Sequence, residues 1–207
     1  MSITALAVEP EDARRIRILE AAERAFARHG FHGATMQIVA AEARMSAGNL
    51  YRYFSSKEAL VSGLAERDQA ALAEDFARLA AAEDTLEAMA ALLRKHLVEA
   101  PAGGAQLALE IWAEAGRNAD VARICQGIEA GVRRHLGAIV AAPAEAAGVP
   151  QDFAVRVIQT VSAGLFKRRA TEADFDGEAE IAMAIAIYRA LFAGAIGPSP
   201  ATPGARP

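Results

Sequence analysis

The sequence predicts an all-helical protein in two parts: a small N-terminal bundle built on a helix-turn-helix, and a larger C-terminal helical domain. Three observations predict it. Apolar residues recur at three- and four-residue intervals along most of the chain, the spacing of one helix face. Alanine, the strongest helix former, supplies much of the 53% apolar content. Residues able to cap helices, among them Thr35, Ser46, Ser55 and Asp84, stand directly ahead of these periodic runs.

Residues 1–9 have no periodicity and read as a flexible arm. Glu9, Glu11 and Asp12 around Pro10 then place negative charge where a helix begins. Ile16, Leu19, Ala22 and Phe26 share one face of that helix, which runs to about His29 and is ended by Gly30. Arg14, Arg15 and Arg17 near its start suit either phosphate contact or a solvated face. His29 and His32 have no third ligand at useful spacing, so no metal is expected there.

The stretch from Thr35 to Glu58 organises the rest. Thr35 can cap a short helix carrying Met36, Val39, Ala40 and Ala43. Arg44 to Ser46 interrupt the pattern, and Ser46 caps a second helix over Ala47 to Tyr53. Leu50 and Phe54, four apart, point back at Val39 and Ala43 and clamp the two helices at an angle. Ala47, Gly48, Asn49, Tyr51, Arg52 and Tyr53 are left on outward faces. Small and polar residues at the start of a short helix suit entry into a DNA major groove, where those residues meet base edges and their surroundings meet phosphates. Ser55 and Glu58 then read as a capping box that begins a long helix through Leu60, Leu64, Leu72, Phe76 and Leu79, the mechanical link between the two parts.

The run SAGNLYRYFSSKEAL from Ser46 to Leu60, preceded by ILEAAERAFARHGF from Ile18 to Phe31 and by Thr35, resembles the N-terminal domain of TetR-type transcriptional repressors. Gly30, Thr35, Tyr51, Phe54 and Lys57 stand where that family's motif has them. Two positions depart from it. Arg44 replaces the usual glycine of a left-handed turn, at a cost on the order of 1 kcal/mol, and Ile38 falls where an acid is common. The resemblance implies a homodimeric transcriptional regulator, a repressor released from a palindromic DNA operator by a small-molecule effector, without a cofactor. It implies base contact by Ala47 and Asn49, close backbone approach at Gly48, and phosphate contact by Thr35, Gln37, Ser46, Tyr51, Arg52, Tyr53 and Lys57. Arg44 gains a reading as a further phosphate contact.

The remaining chain reads as a domain over 56–196 following the DNA-binding domain at 10–55, with a disordered proline-rich tail at 197–207. Asp84 starts a helix to about Glu99, and Pro101, Gly103 and Gly104 form a break. A shorter helix ends near Gly116, another runs from Asp120 to about Val140, and Pro143 to Pro150 form a loop with room for one helical turn. Phe76, Leu109 and Trp112 are candidates for lining an effector pocket. Two long helices, about 152–168 and 177–195, close the fold. Val157, Val161, Gly164 and Leu165 on the first and Ile185, Tyr188 and Phe192 on the second are the expected contacts with a second copy, in a four-helix interface.

Charge supports the division. Residues 1–60 hold eight Arg and Lys against seven Asp and Glu, a balance of +1, while the remainder holds fourteen against nineteen, a balance of −5, so the acidic excess lies away from the proposed DNA face. Arg189 interrupts the most apolar run, from Ile181 to Ile196, which falls short of the roughly 20 residues of a membrane span. No signal peptide is visible, and a soluble cytoplasmic protein is expected. A single cysteine, Cys125, excludes a disulfide within the chain. An enzyme is the competing class, with Glu110 and Glu114 working beside His96 or His135, but no nucleophile, phosphate loop or metal triad accompanies them. A helical interaction module with an inactive helix-turn-helix is a third reading.

Overall fold

The computed structural model describes residues 11–198, and every regular element among them is helical: α1 (Glu11–Gly33), α2 (Met36–Glu42), α3 (Ala47–Tyr51), α4 (Lys57–Ala80), α5 (Thr85–Arg94), α6 (Ala102–Ala115), α7 (Ala119–Ala146), α8 (Gln151–Thr171) and α9 (Gly177–Phe192). A π-helical turn over Lys95–Glu99 continues α5. The arm expected at 1–9 and the tail beyond 198 lie outside the described residues.

Several starts are set by single side chains that accept an otherwise unpartnered amide. Thr35 Oγ1 accepts from the Ile38 amide at 3.3 Å and Ser46 Oγ from Asn49 at 3.2 Å. Asp84 and Asp176 do the same for α5 and α9. At α4 the capping residue is Ser56 rather than Ser55: its hydroxyl accepts from the Ala59 amide at 3.2 Å. Ser56→Ala therefore lowers stability by about 1 kcal/mol, whereas Ser55→Ala changes it by less than about 0.5 kcal/mol. Urea denaturation of the two variants distinguishes the registers, and equal effects would refute this cap.

Other boundaries move for identifiable reasons. Gly30 kinks α1 instead of ending it, at φ 69, and one further turn follows to Gly33. The Ile16 side chain is half exposed, although the periodicity had put it inward. At about 100° per residue it falls off the stripe of Ile18, Leu19, Ala22 and Phe26. The helix α3 stops at Tyr51, two residues early. Gly103 and Gly104 lie within α6, leaving Pro101 as the break. First-turn amides lack intrahelical partners in any case, so the chain tolerates this start. Pro143 lies inside α7. The cost of about 3 kcal/mol is offset by alanine-rich flanks and by full burial of Val140 and Ala144 on either side of it. That helix ends at Ala146 instead, closed by the left-handed Gly148, φ 68, with the Val149 amide donating to Ala144 O at 2.9 Å.

The chain forms two compact units. One contains α1 to α3, α4 as far as Asp68, and Leu107–Cys125. The other contains Gln69–Gln106 and the chain from Gln126 onward. Compactness thus assigns most of α6 and the start of α7 to the unit that carries the helix-turn-helix, where the linear reading divided the chain once, at 55. The first unit's core holds Ile18, Phe26, Val39, Leu50, Phe54 and Leu60 together with Leu107, Val121 and Cys125. The second holds Phe76, Leu97, Val140, Ile158, Leu165, Ile181, Tyr188 and Leu191. In the second unit the buried Asp75 carboxylate accepts two 2.7 Å bonds from Lys95 and one from Arg78, which pins the π-helical turn to α4.

Candidate nucleic-acid interface

The helix-turn-helix closes on its own apolar side. Val39 and Leu50 are fully buried, and Phe54 and Ala43 nearly so. Between α2 and α3 the chain reverses through Arg44, at φ 55. It is the left-handed position that family resemblance assigns to glycine, and it lets the Met45 amide donate to Ala40 O at 2.9 Å. The Arg17 guanidinium donates to Ala43 O at 3.1 Å beside it.

This geometry turns Thr35, Gln37, Arg44, Ser46, Gly48, Tyr51 and Arg52 outward, with Ala47, Asn49, Tyr53 and Lys57 half-buried. A Cβ placed on Gly48 would meet nothing within 4 Å, so its smallness answers to no neighbour in the chain. The predicted contacts divide by what they already hold. Gln37, Arg44, Asn49, Tyr51 and Arg52 have no side-chain hydrogen bond or ion pair among the described residues, so their donors and acceptors are available. The hydroxyls of Thr35 and Ser46 serve as caps, and Tyr53 OH accepts from Arg14 at 3.2 Å. The Lys57 ammonium donates to Phe31 O at 2.7 Å and His32 O at 3.4 Å, and sits 4.6 Å above the Phe31 ring.

The basic residues of α1 are engaged within the protein. Arg15 pairs with Glu66 and covers the Phe54 ring at 4.5 Å. Arg24 and Arg28 both reach Glu42 at 2.9 Å. The Arg24 hydrogen bond, helped by the charges of both arginines, holds the Glu42 carboxyl below its ordinary range. Glu58 is held low in the same sense, first by its own backbone amide and then by the Ser56 hydroxyl. Negative charge is thereby stabilised at the positive end of α4.

A set of contacts from α6 and the α6–α7 turn was invisible to sequence reasoning. Glu110 Oε2 accepts from the Phe31 amide at 2.5 Å, just past the Gly30 kink. The nearly buried Glu114 meets His32 Nε2 at 2.8 Å and Arg117 at 3.0 Å, and Asn118 Nδ2 donates to Glu58 Oε1 at 3.2 Å. The spacing of Glu110 and Glu114 signalled a shared helix face but not its partner. Their carboxylates hold the end of α1, and His96 and His135, their proposed catalytic companions, belong to the other compact unit.

The other candidate groups are redistributed. Phe76 is buried in the second unit's core and stacks on His135 with ring centroids 5.2 Å apart, whereas Leu109 and Trp112 belong to the first unit. The three do not share a compact unit. On α8 and α9, Leu165 and Tyr188 are 1% exposed and serve this chain's own core, and Val157, Val161, Ile185 and Phe192 pack half-buried against it. Gly164 does face outward, as do Ala163, Ala182, Met183 and Ala186. Two apolar stripes on one helix do not by themselves reveal which turns inward.

A sequence profile described as bacterial regulatory proteins, tetR family, matches residues 18–64. The HTH-type transcriptional regulator UidR of Escherichia coli (strain K12) is 34% identical over 112 residues, 52% of this chain and 55% of that protein. The HTH-type transcriptional repressor AcnR of Corynebacterium diphtheriae is 44% identical over 61 residues, 30% of this chain and 32% of that one. The chain therefore spans about half the length of UidR, and less of AcnR. Among solved structures, Salmonella enterica GusR superposes with a TM-score of 0.74 at 25% identity, covering 91% of this chain and 99% of its own. The curated relatives are transcriptional regulators, not enzymes. No helix among the described residues is long and apolar enough to cross a membrane.

Proposed function

We propose that this chain, which belongs to the tetR family of bacterial regulatory proteins, is a homodimeric transcriptional regulator that represses from a palindromic operator and is released by a small-molecule effector. The observation that carries the reading is the surface of α3 and its surroundings. The first turn of α3 presents an exposed Gly48 and a half-buried Asn49 whose side chain, like those of Gln37, Arg44, Tyr51 and Arg52, is uncommitted, while Leu50 and Phe54 brace it from behind. Asn49 offers adenine a paired donor and acceptor, Ala47 and Gly48 bring the backbone close to base edges, and the flanking residues meet phosphates. Lys57 keeps one ammonium N–H beyond its two carbonyl bonds, sufficient for a phosphate oxygen.

A second copy is expected against α8 and α9, where Gly164, Ala163, Ala182 and Ala186 permit close helix approach and Met183 presents an exposed apolar chain. An effector that binds the two states of such a dimer with affinities differing by a few kcal/mol is enough to empty the operator.

Selection of duplexes from a randomised pool by the full chain tests the proposal. A palindrome with half-sites about one DNA turn apart is expected, and failure to enrich any sequence refutes it. Repeating the selection with Asn49→Ala should erase the preference at one position per half-site, a discrimination of about 1–3 kcal/mol. An unchanged consensus would remove Asn49 from base reading.

A further inference from the structure

We propose that Glu110 is a positioning residue for the phosphate contact of Lys57, acting through the last turn of α1; this rests on the DNA-binding reading above. The positive-φ backbone of Gly30 interrupts the regular helix immediately before Phe31, where the regular i to i−4 ladder is disturbed. Glu110, 79 residues away on α6, supplies the acceptor at 2.5 Å. Its carboxylate also occupies the space beside Gly30, where an added Cβ would come within 3.0 Å of Oε2. At the opposite pole of the same turn, Lys57 bonds Phe31 O and His32 O and lies over the Phe31 ring. A carboxylate at the amide end and an ammonium at the carbonyl end thus share one residue, Phe31, whose side chain is 3% exposed and cannot shift independently of the core.

The location of the Lys57 ammonium is therefore set by the Phe31 carbonyl, and Glu110 anchors the amide of the preceding peptide, on the other side of the buried Phe31 Cα. Glu114, through His32, supports the same turn from one helical turn further along α6. Because α2 and α3 lie between residues 33 and 57, the turn and the first residue of α4 bracket the helix-turn-helix, and an error in one displaces the charged edge of the DNA face. Without the acceptor, the Phe31 amide must seek another partner, the two carbonyls move with it, and the ammonium loses its fixed position.

The test is the salt dependence of binding to the consensus duplex enriched by the full chain. Each phosphate contact contributes about 0.9 to the slope of log affinity against log salt. Lys57→Ala should flatten that slope by about one contact. Glu110→Ala should flatten it equally, the double variant should be no flatter than either, and Glu110→Gln, which keeps an acceptor, should stay near the unmodified protein. If Glu110→Ala melts below the assay temperature, Glu110→Asp gives the same comparison, since its shortened carboxylate keeps its charge but loses the Phe31 amide. A flattened slope for Lys57→Ala with an unchanged one for the Glu110 variant overturns the inference alone. An unchanged slope for Lys57→Ala overturns the phosphate reading of Lys57 and the inference with it.

Discussion

Phe54→Ala is expected to destabilise the helix-turn-helix unit by about 3–5 kcal/mol and to abolish DNA binding at ordinary temperature. Phe54 is 2% exposed, and its ring lies where a Cβ on Gly63 would approach within 2.8 Å, beside Leu19. The ring fills the gap that the absent side chain of Gly63 leaves against α4, and the Arg15 guanidinium closes it at 4.5 Å. Truncation removes the apolar contact and opens a cavity that the surrounding helices fill only in part. It also frees α3, since Leu50 is the other principal residue bracing that helix. Trp112 is the only tryptophan and belongs to the same compact unit, so its fluorescence during urea denaturation reports on this unit. A loss below about 1 kcal/mol would show that the ring is not the brace described here.

Tyr188→Ala should cost the second unit a similar 3–5 kcal/mol. Tyr188 is among the largest fully buried side chains, and its hydroxyl meets Ser162 Oγ at 3.2 Å and donates to Ile158 O at 3.4 Å. Tyr188→Phe keeps the packing and removes only the hydroxyl contacts, a loss of about 1 kcal/mol. Because Tyr188 serves the core and not the surface proposed to face a second copy, the phenylalanine variant should sediment as the unmodified protein does; a change in sedimentation would contradict this placement. Burial raises the Tyr188 pKa above its ordinary 10.0, with the Ser162 hydrogen bond acting weakly in the other direction. The folded state therefore favours the neutral phenol. Its contribution is complete below pH 10 and declines as the pH rises through the folded value, a decline that Tyr188→Phe should lack in alkaline denaturation.

Much of the DNA-binding face was legible because its determinants are local. Thr35 and Ser46 find their amide partners three residues away, Leu50 and Phe54 meet through one helical turn, and the backbone demand at Arg44 follows from the reversal between two adjacent helices. The cap of α4 was misplaced by one residue because Ser55 and Ser56 offer identical chemistry. Local sequence stops the helix near Val140 and begins a loop at Pro143, because the burial of Val140 and Ala144 that carries the helix past the proline depends on distant residues.

By itself the sequence determined the helical class, the helix-turn-helix and the outward placement of Gly48, Tyr51 and Arg52, since each follows from hydrogen bonds and periodicity within about four residues. Only the tertiary structure decided that α6 completes the end of α1 through Glu110, that Lys57 rests on the carbonyls of Phe31 and His32, and that Leu165 and Tyr188 turn inward. Those contacts join residues as many as 79 positions apart, and an amphipathic face specifies that burial will occur without specifying against what.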